Sequence, residues 1–387
     1  MSENFEAVKR LEDTYQLNTY AKLPIAIERG EGVYVYDTNG KKYLDLYGGH
    51  AVALTGHCHP EVVSAVKTQA EQLLFYSNVV YLPVRARASQ AIVDVSPKPM
   101  DKVFFCNSGA EANETALKVA RRFTGKSEII AMQGGFHGRT IGALSATALG
   151  NYREMFSPLI ESFRFVPFGD IPAVEKALTD RTAGVILEPI QSMAGVSIAD
   201  EEYYKRLRDI CSDRGVVLIF DEVQTALGRS GSWFFGDTWG IVPDIITMAK
   251  GIAGGIPMGA VLIREHISKT IHHGEHGSTF GGCPVACAAL KANIDVIRKE
   301  GLVENAAVVG AYIQEEVEKL HGVSRVKGRG LLLGIELERE AKEVCDLLLE
   351  KGVITGTSAE KNVLRLLPPL VLGKQNADVF IQVLRSL

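Results

Sequence analysis

From about residue 60 to residue 290 the chain alternates compact apolar runs with amphipathic helical stretches, and this alternation restricts the fold more than any other feature. The runs are Val103-Phe104-Phe105-Cys106, Ile129-Ile130-Ala131-Met132, Gly184-Val185-Ile186-Leu187, Val216-Val217-Leu218-Ile219-Phe220 and Ile245-Ile246-Thr247-Met248. Each is short and apolar at consecutive rather than alternate positions, so both faces of the strand are expected to be covered. Glu111 to Arg122 and Tyr203 to Arg214 carry helical periodicity and read as crossover helices between parallel strands. The expected class is α/β, with a mainly parallel sheet flanked by helices.

The two ends of the chain have a different character. Residues 32–37 and 42–46 flank Thr38-Asn39-Gly40 and read as a hairpin. After Gly301, helical segments (306–320, 341–351) alternate with short strands (331–336, 363–366), the mark of a smaller α+β unit. The expected division is residues 1–55 and 291–387 in a small domain, with residues 56–290 forming the large one.

In an open parallel sheet, ligands bind beyond the carboxyl ends of the strands. The segment after Cys106, Asn107-Ser108-Gly109-Ala110-Glu111, combines small residues with a capping side chain at a helix amino terminus, which suits an anion. An ordinary helix cap is the alternative. Asp221, followed by Glu222-Val223-Gln224, ends a buried apolar run and needs a cationic partner. Lys250, in Ala249-Lys250-Gly251, ends another run, where a lysine of lowered pKa can form an imine with an aldehyde. Asp221 and Lys250 alone could equally be a structural ion pair. With the anion cradle they fit one cofactor, pyridoxal 5'-phosphate, which needs a lysine, an acid for its ring nitrogen and a phosphate site.

Composition narrows the partners. A formal charge of −4, from 42 basic and 46 acidic residues with no long run of either sign, gives no electrostatic case for nucleic acid or membrane. Small-molecule chemistry is expected. The start, Met1-Ser2-Glu3-Asn4-Phe5-Glu6, lacks the features of a secretory signal, and no stretch is apolar enough to span a bilayer. Six scattered cysteines argue against a disulfide framework, so a cytoplasmic location is expected. His57-Cys58-His59 and His272-His273-Gly274-Glu275-His276 do not follow zinc spacing, and no metal is expected.

Along almost its whole length the chain resembles the class III aminotransferases of fold type I. The resemblance is carried by Asn107 to Glu114, Phe136-His137-Gly138-Arg139-Thr140, Asp221-Glu222-Val223-Gln224-Thr225, Ala249-Lys250-Gly251 and Gly277-Ser278-Thr279-Phe280-Gly281-Gly282, in the family's order. It implies a seven-stranded sheet in the large domain. It also implies that Gly109 and Ala110, with Ser108, hold the phosphate and that Phe136 stacks on the pyridine ring. Asp221 would hold the ring nitrogen and Gln224 the ring hydroxyl, with Glu222 and Val223 beside them. Lys250 would bind the cofactor covalently and shuttle the proton. Thr279 would reach the phosphate of a neighbouring subunit, making a homodimer the active unit.

Within the class, Asn18-Thr19-Tyr20-Ala21, Gly56-His57-Cys58-His59-Pro60 and Leu364 to Leu370 resemble the branch acting on N2-acetylornithine in arginine biosynthesis. The reaction implied moves the δ-amino group to 2-oxoglutarate, giving N-acetylglutamate 5-semialdehyde and glutamate. Arg139 would bind the donor's α-carboxylate and Arg365 a carboxylate of glutamate or 2-oxoglutarate, with Ser278 nearby. N-succinylornithine, ornithine, 4-aminobutyrate and carrier-linked lysine precursors are alternative donors, and an aminomutase or racemase is an alternative chemistry. Relatives usually carry Gly and Glu where this chain has Ser192 and Met193, and an aliphatic residue where it has His50.

Overall fold

The computed structural model describes residues 4–387; Met1 to Glu3, part of the acidic start noted above, lie outside the described residues. The centre is a seven-stranded sheet. Its strands in chain order are β1 (Met100–Cys106), β2 (Glu128–Met132), β3 (Phe163–Val166), β4 (Thr182–Leu187), β5 (Val217–Asp221), β6 (Ile245–Met248) and β7 (Gly259–Arg264). Their spatial order is β1-β7-β6-β5-β4-β2-β3. The strands run parallel except β7, which is antiparallel to both neighbours.

All residues of β2, β4, β5 and β6 are buried, as the uninterrupted apolar runs require. Each fully buried Leu, Ile or Val side chain contributes roughly 1.5–3 kcal/mol of transfer free energy. The helices Gly109–Thr124 and Glu201–Asp213 lie where the periodicity predicts. The first is capped by the Ser108 hydroxyl on the Glu111 amide and ends at Gly125 in the left-handed region (φ 69°).

Sequence reasoning missed β3 and β7. In β7 the Gly-rich lead-in Gly254-Gly255-Ile256-Pro257 masks a short strand, and chain direction cannot be read from a run of apolar residues.

Both chain ends meet in one small sheet. Ile27–Glu31, Tyr34–Asp37 and Lys42–Asp45 pair antiparallel, and Val353–Ile354 adds beside the last of them. Val323–Arg329, Leu332–Leu337, Val363–Leu366 and Gly356–Thr357 form a second, antiparallel sheet. The helix Pro284–Lys299 runs through residue 290, so the expected boundary there falls inside an element. No described helix is long and apolar enough to cross a membrane.

Candidate active site

The carboxyl ends of β1, β2, β4, β5 and β6 converge on one cavity of about 460 Å³, within the usual range for small-molecule sites. Ser108, Gly109, Ala110, Phe136, Arg139, Asp221, Val223, Gln224 and Lys250 all line it, as expected from sequence. So do Asn113, His137 and Glu188, to which the sequence reading gave no role.

Asp221 is buried at the end of β5 and is thoroughly held. One carboxylate oxygen accepts from His137 Nδ1 and from Asn113 Nδ2, both at 2.7 Å; the other accepts from the Val223 amide at 3.1 Å. Thr247 on β6 in turn donates to Asn113 Oδ1 at 2.7 Å, fixing which way the amide faces. The partner foreseen for Asp221 was a cation, with Lys250 as the candidate for an ion pair. The structure gives the contact to His137 instead, because the turn after β2 brings the imidazole over the end of β5.

Lys250 follows β6 with its backbone in the left-handed region (φ 50°), which costs a non-glycine residue of order 1 kcal/mol or more. Burial lowers its pKa from the usual lysine range, opposed by the charges of Asp221 and Glu188. Glu188, directly after β4, accepts the Phe136 amide at 2.8 Å. Burial, and then the nearby Asp221, push its pKa up to about 7. The rule that found Asp221, a carboxylate ending an apolar run, finds Glu188 as well.

The helix Gly109–Thr124 points its amino terminus into the cavity. Its first amides have no intrahelical acceptor and favour an anion there. Space is tight at Gly109, since a Cβ would lie 3.0 Å from the Val223 side chain. The Ser108 side chain also serves as an ordinary helix cap, accepting the Glu111 amide at 3.2 Å.

Glu222 departs from the expected site. Its side chain turns away from the cavity and accepts from the Phe235 amide at 2.8 Å and the Thr225 hydroxyl at 2.9 Å. Successive residues of an extended segment point to opposite sides, so Asp221 in the cavity sends Glu222 into the core. Burial pushes its pKa up to about 8.

Arg365, Ser278 and Thr279 lie outside the cavity wall. Arg365 is buried and reaches the cavity through Ser192: Nη1 donates to Ser192 Oγ at 3.0 Å, and that hydroxyl donates to Gln224 Oε1 at 3.1 Å. Ser278 Oγ is 3.3 Å from Asn107 Nδ2, at the cavity's edge. Thr279 is exposed. Arg139 is exposed at the cavity mouth, its guanidinium 4.4 Å from the centre of the Tyr152 ring.

A buried, hydrogen-bonded carboxylate, a lysine of lowered pKa and a helix amino terminus around one cavity fit pyridoxal phosphate. Residues 15–387 match the class III aminotransferase family, and the chain belongs to it: it is a pyridoxal-phosphate-dependent transaminase of fold type I. The acetylornithine aminotransferase of Methanocaldococcus jannaschii is 43% identical over 386 residues, covering 97% of this chain and 96% of the relative. That of Methanopyrus kandleri is 45% identical over 374 residues, covering 96% of each. The crystal structure of ornithine aminotransferase from Toxoplasma gondii superposes with a TM-score of 0.94 at 30% identity, covering 99% of this chain and 94% of that one.

Proposed function

We propose that this transaminase moves the δ-amino group of N2-acetylornithine to 2-oxoglutarate, giving N-acetylglutamate 5-semialdehyde and glutamate in arginine biosynthesis. Similarity to acetylornithine aminotransferases over nearly the whole chain supports the donor. The observation that carries the reaction is the placement of Lys250, its pKa lowered by burial, in one cavity with the tightly held Asp221.

When bound, pyridoxal phosphate supplies an aldehyde that takes up the amino group and a ring that accepts the electrons released at the substrate carbon. In this reading Lys250 Nζ would anchor it and would carry the proton to and from the substrate carbon, which the lowered pKa favours. Asp221, fixed in place by three donors, would face the ring nitrogen and favour its protonated form. Gly109 and Ala110 would offer backbone amides to the phosphate, Phe136 would pack on the ring, and Gln224 would hold the ring hydroxyl. Arg139 takes the donor's α-carboxylate at the mouth and Arg365 a carboxylate of the oxo acid. Exposed Thr279 completes the phosphate site of a second subunit, so the active unit is a homodimer.

A panel of amine donors with 2-oxoglutarate, monitored for glutamate, tests this. N2-acetylornithine should give the highest kcat/KM. A higher value for N-succinylornithine, ornithine, 4-aminobutyrate or a carrier-linked amine reassigns the donor, and no glutamate with any of them overturns the proposal.

A further inference from the structure

Residues Gly48, Gly49, His50 and Ala51 form a left-handed turn, with φ of 57°, 57°, 71° and 65°. Two of them are not glycine, and such backbone persists only where the surroundings enforce it. Asp45 enforces the start: Oδ1 accepts from the Tyr47 and Gly48 amides at 2.9 Å each, while Oδ2 is held by His57 Nε2 at 2.8 Å. Gly356, on the second small sheet, leaves the space that the Tyr47 ring fills, since a Cβ there would collide with the ring. Tyr47 is thus fixed from before, after and below.

The phenol oxygen of Tyr47 meets Arg365 Nη2 at 2.9 Å and His50 Nδ1 at 2.8 Å. A guanidinium only donates, so the Tyr47 oxygen accepts from Arg365, and its own proton can go to His50 Nδ1 when that nitrogen carries none. Burial, then the charges of Lys250 and Arg365, lower the His50 pKa to about 4, so the ring is neutral. Ser192 repeats the pattern, accepting from Arg365 Nη1 and donating to Gln224. Arg365 Nε donates to the Thr357 carbonyl at 2.6 Å, so three of the five guanidinium N–H groups are used and one on each terminal nitrogen is left for a ligand. Arg365 is therefore buried, fully oriented and bonded only to neutral groups. Burial raises the pKa of the Tyr47 phenol, which keeps it neutral as well.

We propose that Tyr47, directed by His50, is a positioning residue that holds Arg365 in place as the receptor for the carboxylate of the incoming 2-oxo acid. The proposal rests on the reading of Arg365 given above. Tyr47 touches neither substrate nor cofactor in this account. It fixes the direction of the guanidinium without offering a charge that an incoming carboxylate would have to displace. Its effect is confined to the half-reaction that uses the oxo acid, and the ω-amine donor, bound at Arg139, does not depend on it.

The test compares wild type, Tyr47→Phe, His50→Gly and the double variant, all as cofactor-loaded protein. Glycine is the clean truncation at residue 50 because it adopts the left-handed backbone without strain. In Tyr47→Phe the KM for 2-oxoglutarate and the Kd for glutarate, an unreactive dicarboxylate followed by calorimetry, should each rise about tenfold. Single-turnover conversion by the amine donor should stay within about threefold of wild type. His50→Gly should raise the same KM about threefold, and the double variant should match Tyr47→Phe, since His50 acts through Tyr47.

An unchanged KM in Tyr47→Phe, equal losses in both half-reactions, or additive effects in the double variant would overturn the proposal while the functional reading stands. A wild-type protein that forms no glutamate from 2-oxoglutarate with any donor overturns both.

Discussion

His137 Nδ1 lies 2.7 Å from Asp221 Oδ2, and the two residues, 84 positions apart, are both buried. The contact joins the turn after β2 to the end of β5 and fixes the carboxylate at the floor of the cavity. Asp221→Asn removes that charge with little change of shape and should lower kcat about a hundredfold or more. His137→Phe should cost less, about tenfold, because Asn113 and the Val223 amide still hold the carboxylate. Steady-state kinetics with cofactor in excess separates the two from simple loss of cofactor.

Lys250→Ala should abolish turnover and the visible absorption of covalently held cofactor while leaving the fold intact. Retention of both would remove Lys250 as the anchor. Because the backbone at residue 250 is left-handed, Lys250→Gly should be more stable than Lys250→Ala by about 1 kcal/mol, measured by urea unfolding.

Glu222 gives a pH dependence of stability. Its folded pKa, pushed up to about 8, exceeds the usual carboxylate value, so the fold favours the protonated form. The stabilising contribution is complete below the usual carboxylate range and is lost as pH rises through about 8. Glu222→Gln, which cannot ionise, should therefore melt higher than wild type near pH 9, with the difference vanishing near about pH 4. Thermal melts across that range check the sign.

Met193 follows Ser192, whose hydroxyl accepts from Arg365, and by the family resemblance it would occupy a position where the class carries glutamate. Met193→Glu should bring a carboxylate to the guanidinium and compete with 2-oxoglutarate, raising its KM about tenfold while sharpening the preference for ω-amine donors. Unchanged donor ratios would count against any gating by this position.

Gly356→Ala touches no polar group, yet its Cβ would occupy the place of the Tyr47 ring. Its KM for 2-oxoglutarate should rise as in Tyr47→Phe, by about tenfold, with the donor half-reaction preserved. An unaltered KM would mean that the ring can shift without disturbing Arg365.

Much of the large sheet is legible in the sequence because its strands are apolar at every position and end in unusual chemistry. Asp221 and Lys250 announce themselves as charges at the ends of buried runs, and Gly109 as a small residue before a helix. Glu188 obeys the same rule and was within reach. The turn of Glu222 away from the cavity follows from the strand's alternation of sides, though its partners Phe235 and Thr225 do not. The Tyr47, Arg365 and Ser192 cluster was beyond reach, for its members come from residues 47, 192 and 365 and meet only once both ends of the chain pack together. No local pattern encodes a hydrogen bond across 318 residues.

Strand β7 turns back beside β6, with Met248 opposite Ala260, so the segment bearing Lys250 is tied to the centre of the sheet at both ends. A loop stitched in this way has no hinge on which to swing. The Lys250 side chain moves by bond rotations of its four-carbon stem, on the time scale of side chains rather than of lids. The amides flanking it should therefore exchange slowly with solvent, as core amides do, which places Lys250 on some of the least yielding backbone of the molecule.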